Sequence, residues 1–140
     1  MYTVKDISKK LNLSEHTIRY YTDRDLIPNV KRNKNNVRLF DEESVNWFIG
    51  IKCLKECGMS IEDIKNYIDL CLEGDNTIHE RFDIILKQRE IAEKQLEEAK
   101  ERLIYLENKV KHYEDIINGD LTDNTNPRKE GYYIEHIDVV

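Results

Sequence analysis

Residues that interrupt helices are scarce in this chain, which has only five Gly and two Pro in 140 residues. With 36% charged and 39% hydrophobic residues, the composition is typical of a helical protein that can bury one modest core. A second full domain does not fit in this length. We therefore expect a mainly α fold.

Long apolar runs are also missing, since none approaches the roughly 20 residues that a membrane span needs. Patterned polar sequence follows Met1 directly, so we expect neither a signal peptide nor a membrane partner. The three Cys are an odd number in a chain without an export signal, which argues against a disulfide framework and leaves at least one thiol free. These features predict a cytoplasmic protein.

Motifs of catalysis are absent as well. The sequence has no glycine-rich phosphate loop, no nucleophile elbow and no cluster of His and carboxylates at ligand spacing. Its four histidines are scattered, at His16, His79, His112 and His136. We expect a protein that is not an enzyme, with no catalytic residue, metal or cofactor.

Positive charge is concentrated in the first half of the chain. Residues 1–60 have 11 Lys and Arg against 8 Asp and Glu, whereas residues 61–140 have 11 against 20, so the second half sets the net charge of −6. Residues 28–40 hold four basic side chains and no acidic one: Lys31, Arg32, Lys34 and Arg38. Such a segment can neutralise DNA phosphates and release counterions, although a solvated loop has the same composition.

The beginning of the chain has the pattern of a helix-turn-helix. Thr3 can cap a helix over about residues 4–11, and Asn12 tolerates the left-handed backbone of a tight turn. Ser14 can then cap a second helix that ends near Thr22. The outward side of this second helix has side chains that suit insertion into a major groove, namely His16, Thr17, Arg19 and Tyr20.

A two-stranded wing is predicted after Pro28, which ends the helical pattern. Asp41 can cap a third helix over about residues 42–57, and Ser60 a fourth that ends near Gly74. Their apolar faces are formed by Val45, Trp47, Phe48, Ile49, Ile51 and Leu54 in the third helix and by Ile61, Ile64, Ile68 and Leu72 in the fourth. Residues 74–78 are predicted to form a hinge.

A heptad pattern begins at Phe82. Its seam positions alternate in steps of three and four, and all but Arg89 are apolar or aromatic: 82, 85, 89, 92, 96, 99, 103, 106, 110, 113 and 117. The chain has no second helix of comparable length. We therefore expect a homodimer, held by an antiparallel two-stranded coiled coil of this helix with its copy.

Three parts are predicted from these patterns. Residues 1–75 form a winged helix-turn-helix DNA-binding domain, residues 76–118 a coiled-coil dimerisation helix and residues 119–140 a short tail. The heptad pattern is lost in the tail, where the apolar segment 132–140 either packs as a strand or remains loose.

The chain resembles the MerR family of bacterial transcription regulators over essentially residues 1–117. Five pieces in family order and spacing carry the resemblance: Thr17-Ile18-Arg19-Tyr20-Tyr21, Leu26-Ile27-Pro28, Val37-Arg38-Leu39-Phe40-Asp41, Ile51-Lys52-Cys53-Leu54-Lys55 and Gly58-Met59-Ser60-Ile61-Glu62-Asp63-Ile64. The sequence departs from the family pattern at Asp25, where Gly is common, and at Asn36-Val37, where Gly-Tyr is common. Asp and Asn tolerate left-handed backbone, so we expect both turns to survive.

The resemblance implies roles for residues in the head. Thr17 and Arg19 would contact the major groove and its flanking phosphates, Tyr20 would bond a phosphate, and Arg38 in the wing would grip the DNA backbone. Tyr21 is expected in the core. With the other polar residues of this region, the predicted DNA-binding set is Ser14, His16, Thr17, Arg19, Tyr20, Lys31, Arg32, Lys34 and Arg38.

The resemblance also implies a mechanism, in which a dimer on double-stranded promoter DNA bends and untwists a spacer that is too long for RNA polymerase. The 119–140 tail is too short for a large drug-binding domain, and no Cys follows Cys71. Multidrug and metal sensing are therefore disfavoured.

Cys53 and its context resemble the branch of the family that responds to aldehydes and related electrophiles. A thiolate there could attack a soft carbon and change the orientation of the head. Alternatively, Cys53 follows Val45 and Ile49 at helical spacing and is a packing thiol. Cys57 could resolve an oxidised Cys53, and Cys71 is expected in the core.

Two other functions remain open from the sequence. A regulator could sense a small molecule or a protein partner through its C-terminal tail. A coiled-coil interaction module could instead bind protein with its small head and no DNA. Salt-sensitive binding to duplex DNA that is lost without Arg19 and Arg38 discriminates between a DNA-binding and a protein-binding head.

Overall fold

The computed structural model of the chain describes residues 1–132 and is mainly helical, as the sequence predicts. The helices are α1 (Val4–Leu11), α2 (Glu15–Asp23), α3 (Glu42–Glu56), α4 (Ile61–Glu73) and α5 (Ile78–Ile117), and the strands are β1 (Lys31–Arg32) and β2 (Arg38–Leu39). Two compact units are present, residues 1–92 and the residues from 93 onward. All but the first residue of the predicted strand or loose segment 132–140 lies outside the described residues.

The first two helices begin as the sequence predicts. Thr3 Oγ1 accepts a hydrogen bond from the backbone N–H of Asp6, and the Asp6 carboxylate accepts one from the N–H of Thr3, at 3.2 and 2.9 Å. These bonds hold the pKa of Asp6 below its usual value. Asn12 ends α1 in the left-handed conformation, with φ of 54°, and Ser14 then caps α2.

The core of the head joins both halves of the helix-turn-helix to the wing and to α3 and α4. Phe40 follows β2 and meets Phe48 of α3 edge to face, with 5.2 Å between the ring centroids. A backbone bridge from Tyr2 to Phe40 ties the N-terminus to the wing. The buried apolar residues are Val4, Ile7, Ile18, Tyr21, Leu26, Ile27, Phe40, Val45, Phe48, Ile51, Met59, Ile64 and Ile68.

The apolar faces predicted for α3 and α4 are too wide. Ile49 is 43% exposed and Leu72 is 54% exposed, although both were expected to pack inward. A step of four residues turns an α-helix by about 400°, so each such step drifts about 40° around the axis. Ile49 lies one such step after the buried Val45, and Leu72 one after the buried Ile68. Both side chains are therefore carried toward solvent.

The segment between α4 and α5, where the sequence predicts a hinge at 74–78, is an ordered turn. One turn of 3-10 helix covers Asp75–Thr77. The buried Thr77 hydroxyl lies 2.6 Å from the carbonyl oxygen of Leu70 and 2.7 Å from that of Gly74. Arg81 donates to the same hydroxyl through Nε at 3.0 Å. The hydroxyl therefore bonds to carbonyl groups at the end of α4 and to Arg81 of α5, and these bonds hold the backbone of the turn in place.

Helix α5 begins at Ile78, inside the segment 76–118 predicted for the dimerisation helix and four residues before the heptad pattern counted from Phe82, and none of its residues is buried. Ile78 opens the helix and extends the heptad seam by one position ahead of Phe82. Large apolar side chains of the seam are exposed along the whole helix, among them Phe82, Leu96, Leu103, Leu106, Val110 and Ile117. Within residues 1–132, no helix is long and apolar enough to cross a membrane.

Four turns of the head place a residue other than Gly in left-handed backbone. The residues are Asn12, Asp25, Asn29 and Asn36, with φ between 54° and 62°. Asp25 and Asn36 are the two positions where the sequence departs from the family pattern, so the expectation that their turns survive is confirmed. Short polar side chains reach this region at lower cost than other side chains.

Replacement of Asp25 tests this constraint. We expect Asp25→Val to lower the free energy of unfolding by about 1–2 kcal/mol, because a β-branched residue is strained at positive φ. Asp25→Gly is expected to leave it within about 0.5 kcal/mol of the original value. Denaturant unfolding at one protein concentration measures both. The matched control is Arg24→Val at the preceding residue, whose φ is −90°. An equal loss in Arg24→Val would contradict the explanation.

Candidate nucleic-acid interface

The orientation of α2 follows from its two buried side chains. Ile18 is fully buried and Tyr21 is 6% exposed, as the sequence predicts for both. The other side of the helix is left in solvent, where His16, Arg19 and Tyr20 are exposed. Arg19 lies 3.3 Å from the carboxylate of Glu15 one turn earlier. This ion pair is exposed and therefore weak, so a DNA phosphate can replace Glu15 as the partner of Arg19 at little cost in free energy.

Ser14 and Thr17 contribute to the start of α2. The Ser14 hydroxyl oxygen accepts a hydrogen bond from the Thr17 backbone N–H at 3.0 Å, and the same hydroxyl donates to Thr17 Oγ1 at 2.8 Å. Both residues were predicted to contact DNA. Their hydroxyls are engaged in the helix cap, which positions the exposed residues that follow.

The wing is a short antiparallel ribbon that pairs Lys31 with Leu39 and Arg32 with Arg38. Its tip is held by Asn33, whose side-chain oxygen accepts hydrogen bonds from the backbone of Asn35 and Val37 at 2.9 and 3.0 Å. The exposed Lys34 lies within this turn, next to Asn33. Residues 33–36 therefore form a hydrogen-bonded tip at the end of a basic ribbon.

Arg38 differs from the other predicted DNA-binding residues because its side chain is only 17% exposed. One guanidinium nitrogen, Nη2, lies 2.5 Å from a carboxylate oxygen of Asp23 at the end of α2. The other, Nη1, is buried and has no hydrogen-bond partner among residues 1–132. Arg38 thus joins the wing to α2 and keeps one unsatisfied donor, which sequence analysis did not anticipate.

A groove of about 410 Å³ separates the wing from α2 and the start of α1. Its lining includes four cationic side chains, Lys5, Arg19, Arg32 and Arg38, and one carboxylate, that of Glu15. Three of the nine predicted DNA-binding residues therefore meet around one groove. Lys5 was missed because it stands apart from the basic segment in sequence, and only the packing of α1 brings it here.

Cys53 and Cys57 lie one turn apart on α3 and at its end, and both are exposed. The interpretation of Cys53 as a packing thiol is wrong for this chain, because the steps from Val45 to Ile49 to Cys53 drift away from the buried side of the helix. Cys71, which was expected in the core, is half-buried. Within residues 1–132, no three His, Cys, Asp or Glu side chains group as a metal site.

Comparisons with known proteins agree with this geometry. Residues 2–71 match the sequence pattern of the MerR HTH family regulatory proteins. An uncharacterised HTH-type transcriptional regulator of Haemophilus influenzae is 34% identical over 113 residues, which cover 81% of this chain and 84% of the relative. The HTH-type transcriptional regulator AdhR of Bacillus subtilis is 38% identical over 87 residues, or 62% of each chain.

Solved structures have the same fold. HiNmlR, a MerR family regulator lacking the sensor domain, was solved bound to promoter DNA, and it superposes with a TM-score of 0.74 at 33% identity, over 84% of this chain and 93% of that one. A MerR family regulator from Listeria monocytogenes gives 0.76 at 31% identity, over 86% and 91%. From the family pattern, these relatives and the winged head, we conclude that the chain belongs to the MerR family and is a DNA-binding transcription regulator.

Proposed function

We propose that this regulator binds promoter DNA as a homodimer and distorts it to control transcription by RNA polymerase in the cytoplasm. The observation that carries the proposal is the groove between α2 and the wing, whose lining includes four cationic side chains and one carboxylate. Three of these cations, Lys5, Arg19 and Arg32, are exposed, so a phosphate that enters the groove can reach them. Charge-assisted hydrogen bonds from such groups to a phosphate are among the stronger ones in proteins.

The exposed face of α2 and the wing divide the recognition of DNA. Arg19 and Tyr20 face solvent on a capped helix, so the guanidinium can bond a base edge in the major groove while the phenol bonds a phosphate. Lys31, Arg32 and Lys34 lie on the wing ribbon and contact the DNA backbone. The promoter complex of the related HiNmlR supports this assignment of the head to DNA.

The dimer rests on the exposed seam of α5. Large apolar side chains are exposed along this helix of 40 residues, and their contact with water is unfavourable. A partner helix that covers them removes this cost. A second copy of α5 offers an identical seam, and two heads on one dimer suit a pseudo-palindromic promoter site. Because one coiled coil holds both heads, the dimer can bend and untwist the DNA that lies between the two half-sites.

The effector proposed for this regulator is an aldehyde or another electrophile that modifies Cys53. Reaction requires access, and the Cys53 thiol is exposed on α3. The thiol adds to the carbonyl carbon of an aldehyde and its proton passes to the carbonyl oxygen, which gives a hemithioacetal. The related HiNmlR lacks the sensor domain, which is consistent with an effector site inside the DNA-binding head.

Two substitutions separate base recognition from phosphate contacts. Arg19→Ala is expected to raise the dissociation constant for the protein's own promoter about 10- to 100-fold, with a much smaller effect on unrelated duplex DNA. Lys34→Ala is expected to weaken both duplexes alike and to lower the salt slope by about 0.9 per contact. Fluorescence anisotropy over a range of salt concentrations measures both effects.

The control for these variants is Lys65→Ala, which removes a partly exposed cation of α4 that pairs with Asp69 and does not line the groove. Its affinity and salt slope should match those of the unmodified protein. Equal losses in all three variants would mean that the head attracts DNA only through its total charge, and they would contradict the proposed interface.

The thiol proposal is tested by transcription in vitro from the protein's own promoter, with and without methylglyoxal or formaldehyde. We expect Cys53→Ser to bind DNA normally and to lose the response, because serine cannot form the thiol adduct. Cys57→Ser is the matched control, since this thiol is also exposed and lies one turn away. An unchanged response in Cys53→Ser would place the effector elsewhere, with the tail after residue 118 as the next region to delete.

A further inference from the structure

The seam of α5 contains two rows with different side-chain sizes. In heptad notation, one row holds the a positions Phe82, Arg89, Leu96, Leu103, Val110 and Ile117, and the other holds the d positions Ile78, Ile85, Ala92, Ala99, Leu106 and Tyr113. The small residues are both in the d row and both lie near the middle of the helix. A partner that covers this seam must therefore offer large side chains opposite those two alanines.

A second α5 in antiparallel orientation meets that condition, because each d residue then faces an a residue of the partner and the a row holds only large side chains. One such alignment overlaps the two helices over the full length of Ile78–Ile117. Leu96 then lies opposite the partner's Ala99, and Ala92 lies opposite the partner's Leu103. Large and small side chains alternate through the centre, and Ile78 pairs with the partner's Ile117 at each end.

The charges beside the seam favour the same alignment. In antiparallel coiled coils, the e positions, each of which directly follows a d position, approach the e positions of the other helix. Glu93 and Lys100 both flank an alanine of the d row, and both are exposed. The alignment places Glu93 beside the partner's Lys100, and the two-fold axis repeats the pair. Within its own helix, Lys100 lies 3.8 Å from Glu97 at the surface, a contact weak enough to share.

Other alignments bring like charges together. A shift of one heptad in one direction places Lys100 beside the partner's Lys100 and Arg102 beside the partner's Arg102. The opposite shift places Glu93 beside the partner's Glu93. A parallel pair brings two Arg89 side chains together inside the seam and leaves the alanines facing alanines. Like charges repel at each of these contacts, and paired alanines leave the seam underpacked.

We propose that α5 pairs with a second copy in this one antiparallel register, and that Glu93 and Lys100 are the residues that specify it. The inference rests on the proposed homodimer and deepens it, because it names the contacts that make the chain select itself. Related regulators with other charges at these two positions would be rejected as partners, since the apolar seam alone does not distinguish them.

Charge reversal tests the register. Glu93→Lys and Lys100→Glu are prepared separately, and each is expected to raise the dimer dissociation constant about tenfold, because two ion pairs become two like-charged contacts. An equimolar mixture of the two variants should form the heterodimer almost exclusively, since each introduced charge then faces an opposite one. The doubly reversed chain should pair with itself as the unmodified chain does.

Sedimentation equilibrium and native mass spectrometry of the full chain measure these outcomes, with Glu101→Lys as the matched control on the side of α5 away from the seam. That control should retain the affinity of the original dimer. If the unmodified chain is a dimer but the two variants form homodimers and heterodimers in statistical proportion, the proposed register is wrong and the homodimer stands. An unmodified chain that stays monomeric at micromolar concentration would overturn the homodimer and the register together.

Discussion

The burial of Ile18 and Tyr21 is the contact on which the other features of the head depend. These two side chains press one side of α2 into a core shared with α1, the wing, α3 and α4, and this leaves only one possible outer side. The capped start of α2 and the ion pair at its end then fix the rotation of the helix. Arg19 and Tyr20 are presented to solvent because Ile18 and Tyr21, on either side of them, are buried. The side chains that α2 offers to DNA are thus determined by the packing of its buried side against the core.

Much of the fold could be predicted from the sequence because its signals are local. The caps at Thr3, Ser14, Asp41 and Ser60 and the left-handed turn at Asn12 are each determined by a few neighbouring residues. The start of α5 at Ile78 lies inside the predicted segment 76–118, although the heptad pattern is recognisable only from Phe82. A helix boundary depends on the preceding turn, which here is closed by the Thr77 hydroxyl.

The candidate site could be predicted less completely, for a different reason. The basic residues of the wing are contiguous in sequence, whereas the groove also takes Lys5 from α1 and Arg19 from α2. Exposure of Cys53 depended on how far a stripe drifts over two turns, which residue spacing alone did not resolve. In both cases the deciding quantity is the rotation of a helix about its axis, and tertiary packing sets that rotation.

The contact between Arg38 and Asp23 ties a strand of the wing to the last turn of α2 through an ion pair. Widening the space between these two elements breaks that ion pair, so the head resists the change. A promoter whose groove dimensions differ from this spacing is bound more readily if its DNA deforms easily, so discrimination among promoters includes the deformability of each.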